Sequence, residues 1–159
     1  MRNSGALNQK IIIAGMTKTI EAFFDEKSEY FSGKSTSIII SNQLNSKYIL
    51  ALLNSNLISF IFRQMFKHLT LQGGYLNIGP RQLEQLPFVI PSKSQEKELI
   101  FKVNELLKLI SQKNKTGKDS DKFIALQNQI EKTQLNIDIF VYRLYGLSLE
   151  EIKIIKNEN

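Results

Sequence analysis

The sequence predicts an α+β fold: a small mixed β-sheet unit packed on a buried helix, followed by a C-terminal antiparallel helical hairpin. Three observations predict it. Short β-branched runs, "KIIIAG" and "STSIIIS", gather before residue 42. From 47 to 67 runs a segment that is apolar nearly all round, from Ile49 to Phe66, as suits a helix packed on several sides. After Pro91 the period turns helical, with Leu99, Val103, Leu106 and Ile110 spaced four, three and four apart. The chain is therefore expected to comprise an α/β unit over 8–91 and a helical arm over 92–156.

"KIIIAG" at 10–15 reads as a first strand ending in glycine, and "TIEAFFDE" as a second. The polar stretch 26–35 holds a glycine and reads as a loop; 35–41 is a third strand. "SNQLNSK" offers Ser and Asn caps to the helix 47–67. Arg63, Lys67 and His68 at its end complement the helix dipole. Gly73 and Gly74 permit positive-φ backbone after that crowded helix. "YLNI" at 75–78 is a short strand. Pro80 opens a short helix over 80–86, a favoured place for proline. "PFVIP" departs extended, because Leu86 and Ile90 each precede a proline.

A helix over 94–114 follows. After the break "KNKTGKDSD", a second helix over 120–145 carries Phe123, Leu126, Ile130, Ile137, Phe140 and Leu144, with Thr133 at the seam position between. Two such helices joined by a short break pair antiparallel. Gly146 stops the second, and Ser148 with Glu151 forms a capping box for a last short helix.

Composition narrows the function. The chain has 159 residues and no cysteine, which excludes a disulfide scaffold and thiolate metal sites and fits a reducing, cytoplasmic setting. The single histidine, His68, argues against a histidine zinc site. "MRNSGALNQK" has no apolar run, so no secretory signal is expected. The most apolar stretch, 48–62, is too short to span a bilayer and is interrupted by Asn54, Ser55 and Asn56, so no membrane partner is expected. Net charge is +6; residues 1–91 hold nine Lys/Arg against five Asp/Glu, whereas 92–159 hold twelve against ten. The excess in the first part suits a polyanion.

No phosphate-cradling loop is present, and "GGY" is too short for a dinucleotide fingerprint. Glu151-Ile-Lys153, with Asp138 upstream, has the Glu-x-Lys form of metal-dependent nucleases. In a helix, however, residues two apart point to different faces, and the pair reads as a solvated surface. No cofactor and no catalytic residue is expected.

Four segments carry a family resemblance: "KIIIAG" at 10–15, "FFDEKSEYFSGKSTSIII" at 23–40 with its Asp before the turn, "YILALLNSNLISFIF" at 48–62, and "GGYLNIGPRQLEQLPFVIP" at 73–91. With them the chain resembles the TaqI-like C-terminal specificity domain of N6-adenine DNA methyltransferases and fused type IIG restriction–modification enzymes. It is more loosely similar to target-recognition domains of type I specificity subunits. "LLNS" and "LEQLP" in this order carry most of the match; the usual Pro-Ile-Pro exit is stretched here to "PFVIP". "IDIFVYRLYGLSLEEIKII" at 137–155 resembles the helical ending of such enzymes.

The resemblance implies a target-recognition module for double-stranded DNA. Methylation or cleavage would belong to a methyltransferase or nuclease domain in the same polypeptide or a separate subunit. The tetrapeptide of adenine methyltransferases, Asn or Asp followed by Pro-Pro and an aromatic, is missing here. Reading DNA takes cations for phosphates and amides or hydroxyls for base edges. The loops supply Thr17, Lys18, Lys34, Ser35, Lys67, His68, Gln72, Asn77 and Arg81 as DNA-binding candidates, with Tyr75 beside them. The alternative is a helical interaction or adaptor protein that docks its apolar seam on a partner without reading bases.

Overall fold

The computed structural model describes residues 8–118 and 120–158. The leaderless reading of the first ten residues falls largely outside them. The expected fold class is observed: a β-sheet region packed on helices, with C-terminal helices forming a hairpin-like arrangement.

Strand β1 (Lys10–Ala14) is central in a three-stranded antiparallel sheet, between β3 (Ala22–Asp25) and β4 (Thr36–Ile39). Alternation sends Ile11 and Ile13 into the core, while Ile12 lies in register with Phe23 and Ile38 on the opposite face. A two-stranded ribbon stands beside the sheet, built from β2 (Met16–Thr17) and β5 (Leu76–Asn77). The sequence places Thr17 and Lys18 in a loop, whereas Thr17 lies in β2 and pairs with Leu76.

The helix expected over 47–67 is two helices, α1 (Ser46–Leu53) and α2 (Asn56–Met65). Side chains explain the break. The Asn54 amide turns to the edge of β3, accepting from the Ala22 N–H at 2.8 Å and donating to the Ala22 carbonyl at 2.9 Å. It thereby covers part of an open strand edge. Ser55 caps α2 by accepting from the Ile58 amide at 3.2 Å. Ser59 accepts from the Ile20 amide at 3.0 Å, so Asn54 and Ser59 both hold the β-region to the helices.

A short 3-10 turn (Lys67–Leu69) follows, then β5 and α3 (Pro80–Leu83), which starts on its proline. The extended exit is clamped from two sides. Tyr48 of α1 donates to the Val89 carbonyl, and Tyr145 to the Pro87 carbonyl, each at 2.7 Å. Helix α4 (Lys93–Asn114) begins at a capping box of Ser92 and Gln95. Helix α5 (Asp121–Leu144) returns antiparallel along it, capped by Ser120. Gly146, at φ 68°, ends α5, and the Ser148–Glu151 capping box opens α6 (Leu149–Asn157). Glu151 is thereby spent on the Ser148 amide, at 2.8 Å.

The hairpin is fastened to the rest through its own residues. Leu99, Val103, Ile137, Phe140, Val141 and Tyr142 belong to the buried cluster that also holds Ile11, Leu52 and Phe62. The expected seam is thus not all that these helices bury: Asp138, Val141 and Tyr142 lie outside it. Asp138 and Val141 face inward because α5 packs on α2 as well as on α4, while Ile110, far along α4, is exposed. Among the described residues no helix is long and apolar enough to cross a membrane.

Candidate nucleic-acid interface

Gly15 joins the sheet to the ribbon. Its N–H donates to the Ser35 carbonyl at 2.8 Å, and its carbonyl accepts from the Ile78 N–H at 2.9 Å. A Cβ at this position would lie 2.5 Å from the Ser35 oxygen, so the approach requires glycine. One residue therefore holds the end of the 26–35 loop against the ribbon.

The ribbon has two distinct faces. In its register Met16 opposes Asn77 and Thr17 opposes Leu76. Directly opposed residues of an antiparallel pair point the same way. Leu76 is buried, and Thr17 is half-buried beside it with its hydroxyl donating to the Thr19 carbonyl. Met16, 60% exposed, and Asn77, exposed, therefore share the outer face. One step on, Lys18 and Tyr75 continue that face, the Lys18 ammonium lying 5.8 Å from the Tyr75 ring centroid. Arg63 donates to the Lys18 carbonyl at 3.2 Å and holds the chain as it leaves β2.

The loop feeding β5 is tight. Gly73 and Gly74 adopt φ of 81° and 78°, the Leu71 amide donates to the Tyr75 carbonyl at 2.7 Å, and Gln72 stands exposed at the tip. On the other side, the 26–35 loop is anchored by a buried ion pair. Lys10 and Asp25, 1% and 2% exposed, meet at 2.6 Å. The Asp25 carboxylate also accepts from the Glu29 and Tyr30 amides at 2.9 and 3.1 Å. Burial pushes this carboxyl up, but the Lys10 ammonium and the two amides outweigh it and hold it below its ordinary range. The anchored loop displays Tyr30, Phe31 and Lys34 to solvent.

Of the nine candidates, the structure brings together Thr17, Lys18 and Asn77 on the ribbon, Ser35 through Gly15, and Gln72 at the turn into β5. Lys34 is exposed next to Ser35. Lys67 and His68 stand exposed on the 3-10 turn and Arg81 on α3. These three reach the ribbon through the chain, by way of Thr70–Tyr75 and of Ile78–Gly79. Sequence reasoning missed Met16 and the pairing of Asp25, the Asp before the turn, with Lys10. Met16 stands two residues before Lys18, a spacing that puts both on one face of a strand. The ion pair left no signal, because its members lie 15 residues apart.

A family model described as the TaqI-like C-terminal specificity domain matches residues 3–88. That span holds both β-layers, α1 to α3 and all nine candidates. No curated protein matches the chain.

Proposed function

Since the chain belongs to the family of TaqI-like C-terminal specificity domains, we propose that it is a sequence-specific DNA recognition module of a restriction–modification enzyme, directing adenine methylation or cleavage performed by other domains. The observation that carries this reading is the outer face of the β2–β5 ribbon. It sets a cation, an amide and an aromatic side by side on a small scaffold, with Ser35 and Lys34 alongside. Lysines of this kind contact phosphates and fix register, while amides reach base edges. The catalytic domain, in the same polypeptide or on another subunit, would supply the chemistry.

A specific observation also supports docking by the helical part. Phe23, Phe24, Leu50, Val103, Leu106, Ile110 and their neighbours line an apolar hollow of about 170 Å³ between β3, α1 and the hairpin. A catalytic domain could cover it, and both roles fit one polypeptide.

The test is DNA binding by the chain at two salt concentrations. Alone it should hold duplex DNA with a Kd on the order of 10⁻⁴ to 10⁻⁶ M at physiological salt, weakening as salt rises. With S-adenosylmethionine, magnesium and plasmid it should neither methylate nor cut. Salt-independent binding would remove the phosphate contacts from this reading. Methyl groups transferred to DNA by the pure chain would overturn it.

A further inference from the structure

The outer face of the ribbon has a more specific chemistry than general DNA affinity. Met16 and Asn77 are directly opposed and both exposed, while their neighbours Thr17 and Leu76 turn inward. A side-chain amide sets an N–H donor beside a carbonyl acceptor in one plane, which matches the N7 acceptor and N6 donor of adenine on the major-groove edge. A thioether chain is an adaptable apolar surface, and the apolar feature on that edge of the same base pair is the 5-methyl group of thymine. A two-stranded ribbon is narrow enough to enter the major groove.

We propose that the Met16–Asn77 pair reads one A·T base pair in the major groove, with Asn77 hydrogen-bonding adenine and Met16 lying against the thymine methyl. Lys18 takes a neighbouring phosphate, its ammonium kept near the ribbon by the Tyr75 ring. Gly15 sets the depth of approach, because both its N–H and its carbonyl are tied to flanking backbone and the ribbon cannot tilt freely. This assignment rests on the DNA-recognition reading and adds to it which base pair the ribbon takes, and with which atoms.

The experiment is selection by the full chain from a pool of randomised duplexes, with sequencing of the bound fraction, followed by competition binding on the enriched duplex. The wild-type chain should enrich an A·T pair at a fixed position. Asn77→Ala should relax that position alone, with a loss of preference of roughly tenfold to a hundredfold. Replacing the adenine by 7-deazaadenine should weaken wild-type binding and leave Asn77→Ala unaffected. Replacing the thymine by uracil, which lacks the methyl group, should weaken the wild type and leave Met16→Ala unaffected. Lys18→Ala should weaken every duplex and lower the salt dependence, with the base preference kept. A wild-type preference that survives Asn77→Ala unchanged overturns the assignment and leaves the DNA-recognition reading standing. Binding that enriches no position overturns the assignment, and a chain that binds no duplex overturns both. Circular dichroism on each variant checks that the fold is kept; because both side chains point to solvent, their removal leaves it intact.

Discussion

Asp138 accepts two hydrogen bonds from Asn56, one from the backbone amide at 2.8 Å and one from the side-chain amide at 3.0 Å, across 82 positions of the chain. Asn56 is the first residue of α2 and Asp138 lies in the last third of α5. The carboxyl thus ties the helical hairpin to the helix that supports the β-region. It is 3% exposed. Burial lifts its pKa to about 6, against the opposing pull of the Asn56 amide, Gln134 and Lys156.

A pH dependence follows. The folded chain holds a proton on Asp138 that the unfolded chain releases near pH 4, so the folded state is favoured where that proton stays bound. The contribution is full below about pH 4 and is lost as pH rises through about 6. Its size is on the order of 2–3 kcal/mol. Asp138→Asn should abolish this slope and make the chain more stable than wild type at pH 8, with the Asn56 amide turned to offer its oxygen. Denaturant midpoints at pH 4.5, 6 and 8 check it. Parallel curves for the two proteins would mean that Asp138 does not titrate in this window.

Gly15→Ala should cost about 1–3 kcal/mol, because its Cβ meets backbone rather than a movable side chain. The nearest atoms are the Ser35 oxygen at 2.5 Å and its carbonyl carbon at 3.1 Å. Gly33→Ala is the control, since no atom of the described residues lies within 4 Å of its added Cβ. Thermal unfolding of both variants separates them. An equal melting temperature for Gly15→Ala would mean that the sheet and ribbon can part at little cost.

Periodicity carried most of the elements, because it reports burial directly. The β-branched run in "KIIIA" and the spacing of Leu99 and Val103 lead to the right strand and the right helix face. It was blind at Asn54 and Ser55. The apolar pattern runs on through both helices there, and the break is made by hydrogen bonds to Ala22 and Ile58, distant or local partners that no period records. Around the ribbon, Lys18, Ser35 and Asn77 are legible from the sequence as exposed polar candidates, a cation, a hydroxyl and an amide. Met16 was not, since an apolar residue in a strand is expected inside. Only the register against Asn77 shows which way it points.

The Lys10–Asp25 pair should govern the order of the loop before β4. Lys10→Met removes the ammonium and leaves the carboxylate buried, a change that breaks such pairs at high cost. Amide exchange at Glu29 and Tyr30, whose N–H groups the carboxylate accepts, should speed up before the rest of the sheet is affected. The pair acts on pH oppositely to Asp138. Its carboxyl is depressed in the fold, so its contribution is present above about pH 4 and is lost as pH falls further. Exchange at these two amides that matches wild type would mean the loop is held by other contacts.

Val103→Asp tests how the hairpin is joined to the rest. An arm that folded independently of the α/β unit would show a local effect, with helicity lost while the unit kept its fold. The structure places Val103, 2% exposed, in the cluster that contains Leu50, Leu52 and Ile11, and on the wall of the apolar hollow. A carboxylate there has lost its water without gaining a partner. The expected loss is on the order of 4 kcal/mol or more, felt by the whole chain in one cooperative transition. Phe101→Asp, two residues away and 64% exposed, should be close to neutral. Helical circular dichroism and amide exchange in β1, followed through the same denaturant series, report the two parts separately. Coincident transitions at a lowered midpoint are the expected outcome. A β1 that keeps wild-type protection while the helices melt would mean that residues 8–91 fold as a unit without the hairpin, and that the shared cluster contributes little to holding them.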